Sequence, residues 1–314
     1  MPIHRWDGFT AAPIGCPGAV LTIGNFDGVH RGHARLVQET AALAQELGTQ
    51  PVVLTFEPHP VTLLRPELHY HPLAVLAERC RLLEAAGARE VLVLSTTAAL
   101  LNLEAEEFFR DVLCVRLGVR GLVEGQNFAF GKNRRGTTQR LESLCRMQKL
   151  PLRIIPPVLV GDEAVSSSRT RLALLDGNVT EVRLCLGRPY AMEGTVSVGA
   201  KRGRALGFPT ANLGKITTLL PGEGVYAARA EAAGKMWPAA VNVGPNPTFG
   251  VIDRKVEVHL IGYEGDLYEQ KLRVEMLERL RDTRAFASAD ELKLQLERDV
   301  SQAREIVMKE AAGG

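Results

Sequence analysis

Between Ala19 and Ile155 the chain repeats one pattern, a short apolar β-type run followed by a helical periodicity. Ala19–Ile23 reads as a strand and His33–Leu47 as a helix. Pro51–Phe56 is a strand again, a helix follows near Leu73–Ala86, and Glu90–Leu94 is a third strand. Asn102 is placed to cap the next helix, with Glu104, Glu106 and Glu107 in its first turn, where carboxylates favour the helix dipole. Gly121–Glu124, Thr138–Lys149 and Leu152–Ile155 continue the alternation as strand, helix and strand. Strands that alternate with helices indicate a parallel sheet covered on both faces. The first half is expected to be a doubly wound α/β domain.

After Gly187–Pro189 the period changes. Ala191–Val198, Gly224–Ala230, Lys235–Val243, Lys255–Ile261 and Lys271–Leu280 are β-type runs broken by Gly and Pro turns such as Leu220–Gly224. That spacing predicts an antiparallel sandwich or barrel. Ser288 and Glu291 then have capping-box spacing, and Leu292, Leu296, Val300, Ala303 and Val307 lie on one face of a closing helix. The composition shift puts a boundary near Leu184–Arg188, which divides the chain into residues 1–186 and 187–314.

Composition narrows the function classes. With 46% apolar and 24% charged residues, the 314-residue chain has core material for about two domains and is neither disordered nor fibrous. The net charge is +2, spread evenly, so neither part has the footprint of a nucleic-acid binder. No apolar run approaches the roughly 20 residues that span a bilayer. Trp6, Asp7 and Gly8 interrupt any secretory apolar region, so no signal peptide is expected. The five cysteines (Cys16, Cys80, Cys114, Cys145, Cys185) are scattered without a CxxC pair. They indicate neither a disulfide framework nor a zinc knuckle, and a reduced cytoplasmic setting is expected.

The segment most loaded with chemistry runs from Thr22 to His33, TIGNFDGVHRGH. A buried strand ends at Ile23, a turn of Gly24, Asn25, Phe26, Asp27 and Gly28 follows, and a helix opens close to His33. Ligands of open α/β sheets bind beyond the carboxyl ends of strands, and helix N-termini attract phosphate. Gly24, Gly28 and Gly32 would let backbone amides approach an anion, on which His30 and His33 would converge as donors. The alternative is a chance pair of histidines or half of a metal site.

His30-Arg31-Gly32-His33 resembles the HxGH signature of the nucleotidyltransferase superfamily, and GNFDGVHRGH resembles the start of prokaryotic bifunctional riboflavin kinase/FAD synthetases. The resemblance implies that His30 and His33 bind ATP phosphates and stabilise charge on the α-phosphoryl group as pyrophosphate leaves. Thr55-Phe-Glu-Pro-His-Pro60 resembles the family's TF-E/D-PHP segment, which would bring Pro58 and His59 near the flavin phosphate; a Pro-stiffened strand exit is the alternative. Gly125-Gln-Asn-Phe-Ala-Phe-Gly131 resembles G-x-D/N-F-x-F-G, where Asn127 would contact flavin or nucleotide. A Walker A loop is rejected here, because Gly125 and Gly131 are one residue too far apart and Asn133 stands where Ser or Thr is needed. Val165-Ser-Ser-Ser-Arg-Thr-Arg171 resembles (I/V)SST-x-(I/V)-R, so Ser166, Ser167 and Arg171 would hold the outer ATP phosphates. Ser168 and Thr170 depart from that pattern, and simple helix capping is the other role open to the serines.

In the second part, residues 194–213 resemble the riboflavin kinase signature with its GFPTAN core. Lys201, Gly203, Gly207 and Pro209 would contribute to a nucleotide loop, and Thr210 and Asn212 would offer hard oxygens to Mg²⁺ on ATP. Lys255-Val-Glu-Val-His-Leu260 alternates, with Glu257 and His259 on one face. The resemblance makes Glu257 the general base on the ribityl 5′-hydroxyl and leaves His259 a supporting role. Val198 and Asn246 replace a His and an Arg often seen in the family. The resemblance covers about Leu21 to Arg304 and implies an α/β nucleotidyltransferase domain followed by an antiparallel riboflavin kinase barrel. Expected ligands are riboflavin, FMN, ATP and Mg²⁺, with neither nucleic acid nor membrane as partner, in a monomer or weak homo-oligomer. An adenylyltransferase with an inactive kinase domain, or a flavin-binding regulator without turnover, are the rival readings.

Overall fold

A computed structural model describes residues 1–13, 15–197, 206–245 and 254–313. Two compact units result: Met1–Tyr70 with Ala74–Val165, and His71–Leu73 with Ser166–Gly314.

The first unit is built on six parallel strands: β1 (Ile3–Trp6), β2 (Val20–Ile23), β3 (Pro51–Glu57), β4 (Glu90–Ser95), β5 (Gly121–Gly125) and, after the hairpin β6 (Ala129–Phe130) and β7 (Gly136–Thr137), β8 (Leu152–Ile155). Their order is β1-β4-β3-β2-β5-β8. Successive side chains of one strand feed different cores, which is why these strands have no polar face. Leu21, Leu54 and Leu92 join a cluster with Phe108, Phe109 and Leu141, while Val53, Val91 and Val93 pack with Leu82 and Leu83 on the other side. The sheet reverses direction of build-up between β2 and β5, so its switch point lies beside the turn that carries the two histidines. The expected doubly wound architecture is observed.

Two local readings change. Asn102 does not open a helix; it ends the short helix Ala98–Leu101, its side-chain amide donating to Ala98 O at 2.9 Å. The next helix is capped by Glu104, whose N–H donates to the Glu107 carboxylate at 2.9 Å. Strand β1 is an edge strand with only Trp6 buried, so it shows no apolar run in the sequence.

The second unit is a closed antiparallel barrel of β11 (Tyr190–Ser197), β12 (Ala211–Gly214), β13 (Gly224–Ala232), β14 (Lys235–Pro245), β15 (Arg254–Leu260) and β16 (Lys271–Arg281), in the order β11-β12-β15-β14-β13-β16. The small hairpin β9 (Leu159–Val160) and β10 (Glu163–Ala164) precedes it in the chain, in the first unit. Val241, Val256, Val258, Val274 and Met276 fill the barrel interior, fully buried. The helix Val179–Leu186 packs on β11 and β16. It ends at Gly187, whose φ of +77° closes the C-cap.

The closing helix Ala289–Gly313 starts as its sequence predicts: Glu291 N–H donates to Ser288 Oγ at 3.1 Å, and Ala287 N–H to the Glu291 carboxylate at 3.1 Å. It packs on β13, β14 and β16, with Ala303 fully buried. Buried Asp299 takes a two-pronged ion pair from Arg281, at 3.0 and 2.7 Å. All five cysteines are free, and burial pushes the Cys145 thiol up to about 12, which leaves it inert as a nucleophile.

Candidate active sites

In the first unit the chain leaves β2 through a turn with three demands on backbone conformation within four residues. Phe26 (φ 49°), Gly28 (φ 78°) and Val29 (φ 41°) are all left-handed. Such strain in a β-branched residue persists only where the surroundings fix it. Here the anchors are visible. Arg79, almost fully buried, donates to Asn25 O at 2.8 Å and pairs with the Glu57 carboxylate; Thr55 Oγ1 also donates to Asn25 O. Asp27 is buried and accepts from Tyr70 Oη at 2.6 Å. Asn25 and Asp27 thus hold the turn in shape.

The turn delivers His30 as the N-cap of the helix Arg31–Glu46. Its Nδ1 accepts the His33 N–H at 3.2 Å, so in the neutral ring the proton resides on Nε2. Gly32 permits this: a Cβ there would meet the His30 ring at 3.1 Å. The His30 and His33 rings stack at 3.5 Å between centroids, and Phe26 packs edge-on against His33 at 5.1 Å. Two imidazoles are thereby presented as one unit at a helix N-terminus, beyond the carboxyl end of a central strand. That is an anion-binding geometry.

His59 repeats the device. It caps the short helix Pro60–Leu64, with Nδ1 accepting from Val61 N–H at 3.2 Å, which again leaves the proton on Nε2. Tyr70 stacks on His59 at 4.3 Å while its hydroxyl bonds Asp27. Tyr70 therefore links the two expected ligand segments, and no motif in the sequence announces it. Asn127 lies exposed in the turn after β5. The neighbouring glycines have a packing reason: a Cβ on Gly131 would come 2.6 Å from Ala105 Cα, and one on Gly136 2.7 Å from the Phe130 ring.

Glu124 is a further residue that the sequence reading did not single out. Strands β2 and β5 pair only through Val20–Gly121 and Leu21–Leu122. Beyond that the Glu124 carboxyl, fully buried, accepts the Ile23 N–H at 2.9 Å and so replaces the missing ladder bond. Burial pushes its carboxyl well above the usual carboxylate range, against a smaller opposite effect of the Ile23 bond. Unfolded, a Glu titrates near about 4.3, so the stability contributed by the neutral form is complete below that pH and is lost as pH rises toward the folded value. Glu124→Gln keeps the acceptor and removes the titration. Its stability advantage over wild type should grow from pH 5 to pH 8, by at most about 1.4 kcal/mol per pH unit, in urea denaturation. An advantage independent of pH would mean that Glu124 does not titrate on unfolding.

In the second unit Ser166 caps the helix Ser167–Leu175, its Oγ accepting from Arg169 N–H at 3.1 Å. Arg171 follows Ser167 by one turn on the same helix. The barrel carries the other group of residues on its outer face. Glu257 on β15 is in register with Asn212 on β12 and with Asn242 on β14. Its carboxylate accepts from Lys255 Nζ at 2.6 Å and from Asn242 Nδ2 at 3.4 Å. Lys255 lies two residues before Glu257 on the same strand face, whereas Asn242 reaches Glu257 only through the register of β14 and β15, which the sequence does not disclose. Asn212 is buried, and its Oδ1 has no hydrogen-bond partner among the described residues. A buried amide oxygen left without a donor fits a hard cation.

Thr210, Pro209 and Gly207 are exposed in the approach to β12, and Gly207 needs its positive φ of 89°. His259, which shares the face of Glu257, holds this approach: Nδ1 donates to Pro209 O at 2.8 Å, and the ring meets Phe208 edge-on at 5.6 Å. These contacts steady the backbone at Phe208 and Pro209. Lys201 and Gly203, together with Val198 and Asn246, lie outside the described residues.

Both parts of the chain resemble known protein families. Residues 15–169 match the FAD synthetase family and residues 186–307 the riboflavin kinase family. A curated bifunctional riboflavin kinase/FMN adenylyltransferase of Escherichia coli K12 is 36% identical over 92% of both chains, and one of Bacillus subtilis is 32% identical over 91% of both. The chain belongs to the bifunctional riboflavin kinase/FMN adenylyltransferase family. A crystal structure from Streptococcus pneumoniae, described as a macrolide-efflux protein, is 31% identical, covers 97% of this chain and 99% of its own, and superposes with a TM-score of 0.87. The efflux description belongs to that protein; among the described residues here, no helix is long and apolar enough to cross a membrane.

Proposed function

We propose that the chain carries out two successive ATP-dependent transfers. Residues 187–314 phosphorylate riboflavin to FMN, and residues 1–186 transfer AMP from a second ATP to FMN, releasing pyrophosphate. The observation that carries this reading is the coexistence, in one chain of this family, of the stacked His30–His33 pair at a helix head and of Glu257 between two asparagines on a barrel face.

In the kinase step Glu257 accepts the proton of the ribityl 5′-hydroxyl as the hydroxyl oxygen attacks the γ-phosphorus of ATP and the bond to the bridging oxygen breaks, releasing ADP. Lys255 and Asn242 hold the carboxylate in place. Thr210 and Asn212 would hold Mg²⁺ together with ATP, consistent with the unpartnered Asn212 oxygen. The cation would neutralise charge on the phosphates. Gly207 and Pro209, with Lys201 and Gly203, would line the ATP phosphates.

In the adenylyl step a phosphate oxygen of FMN attacks the α-phosphorus of ATP. His30 and His33 donate to the phosphoryl oxygens where negative charge builds, and the turn Gly24–Gly28 with Gly32 gives the phosphates close access to the backbone. Ser167 and Arg171 would hold the leaving pyrophosphate, with Ser166 shaping the helix start. Pro58, His59 and Asn127 would contact the flavin nucleotide. With this reading go a cytoplasmic setting, small molecules as the partners, and a monomer or weak homo-oligomer; the five free thiols, four of them buried, support a reduced compartment.

The test is incubation with riboflavin and Mg–ATP, followed by chromatography. FMN should appear first and FAD after it. FAD formed only when FMN is supplied would leave an adenylyltransferase with a silent barrel, and flavin binding without either product would leave a regulator.

A further inference from the structure

His4, Cys16 and Glu90 come from three separate stretches of the first unit and meet at the end of the sheet opposite the nucleotide site. Glu90 is the first residue of β4, and β1 pairs with β4 in parallel so that Ile3 lies opposite Val91 and His4 opposite Leu92. Cys16 lies in the connection that leads to β2. His4 Nε2 is 3.4 Å from Glu90 Oε2, and Cys16 Sγ is 3.8 Å from the same oxygen. All three donor atoms fall within 4.8 Å of one another, the only such group of three His, Cys, Asp or Glu residues among the described residues. Gly15 makes the approach feasible: its φ is 96°, and a Cβ there would stand 3.1 Å from both carboxylate oxygens of Glu90.

As hydrogen bonds these contacts are long. As edges of a coordination tetrahedron they are close to ideal. Zinc bonds of about 2.3 Å to sulfur and about 2.0 Å to nitrogen and oxygen place S and O about 3.5 Å apart and N and O about 3.3 Å apart. The two edges that meet at Glu90 Oε2 differ from those separations by no more than about 0.3 Å, and the third, between His4 and Cys16, lies within 4.8 Å. One thiolate, one imidazole and one carboxylate make a borderline-soft set that suits Zn²⁺ and does not suit Mg²⁺.

We propose that His4 Nε2, Cys16 Sγ and a Glu90 carboxylate oxygen form a zinc site, completed by water, that staples the edge strand β1 and the Cys16 connection to β4. The thiol proton leaves to solvent as the metal binds. The site is structural, since Glu90 opens β4 while His30 and His59 stand beyond the carboxyl ends of β2 and β3. The spacing of the cysteines could not reveal it, because a single cysteine takes part.

The test uses the full chain, stripped with a chelator and then titrated with Zn²⁺ or Co²⁺. One equivalent of Zn²⁺ should bind and raise the melting temperature, and Co²⁺ should give a thiolate-to-cobalt charge-transfer band. Cys16→Ser should remove that band, and His4→Gln and Glu90→Gln should each weaken Zn²⁺ binding at least about 10-fold. FMN and FAD formation by His4→Gln should stay at the wild-type level. Should Cys16→Ser fail to fold, His4→Gln, at the partly exposed rim, still decides the matter through its Zn²⁺ affinity. Less than one equivalent of bound Zn²⁺, no charge-transfer band, or an affinity indifferent to His4→Gln and Glu90→Gln would each overturn the proposal.

Discussion

Replacing His30 by Asn and His33 by Ala in the full chain is expected to lower FAD formation at least about 10³-fold, because loss of a single preorganised donor already costs about 10²–10³ in rate. The choice of Asn at position 30 matters. His30 is the N-cap of its helix, and a cap replaced by Ala costs about 0.5–2 kcal/mol of stability. Asn can accept the His33 position's N–H in the same way, so the helix start is kept while the imidazole is lost. Position 33 lies inside the helix, where Ala is favourable. FMN formation from riboflavin should be unaffected in the same preparation, which serves as the folding control. If both activities fall together, the histidines act through structure; if FAD formation survives within about ten-fold, the phosphates are held by other groups and the electrostatic argument fails.

How much of this was legible in the sequence depends on the range over which each signal acts. Strands β2, β3 and β4 were legible because both faces are buried, which leaves uninterrupted apolar runs. β15 was legible for the opposite reason: Val256, Val258 and Leu260 line the barrel while Glu257 and His259 point out, so the alternation is clean. The His30–His33 pair was readable because three residues on a helix start is a local spacing. Strand β1 was not, since an edge strand with one neighbour and a half-exposed Ile3 carries no pattern. The residues that hold the sites in place were invisible for a further reason. Arg79 reaches the Asn25 carbonyl, Tyr70 reaches Asp27, and Glu124 takes the Ile23 N–H, all across tens of residues. Nothing local encodes such a bond. Asn242 became a partner of Glu257 only once the register of β14 and β15 was known.

At Glu257 chemistry and stability separate by magnitude. Glu257→Gln preserves shape and can still accept from Asn242, but it cannot take the ribityl proton. It also breaks the ion pair with Lys255, which is partly exposed and on general grounds contributes about 0–1 kcal/mol. Removal of a general base costs about 10²–10⁴ in rate, equivalent to about 3–5 kcal/mol at the transition state. Kinase turnover should therefore fall by that factor while the folded fraction and the binding of riboflavin and ATP change little. Lys255→Met removes the same ion pair and leaves the carboxylate, so its turnover should stay within about ten-fold of wild type and its effect measures positioning alone. Glu257→Asp should keep partial activity, with the carboxylate one methylene short. FAD formation from supplied FMN should notice none of these changes. Glu257→Gln turning over within a few-fold of wild type would remove the carboxylate from the proton transfer and leave Thr210 and Asn212, through the cation they would hold on ATP, as the catalytic groups of the barrel.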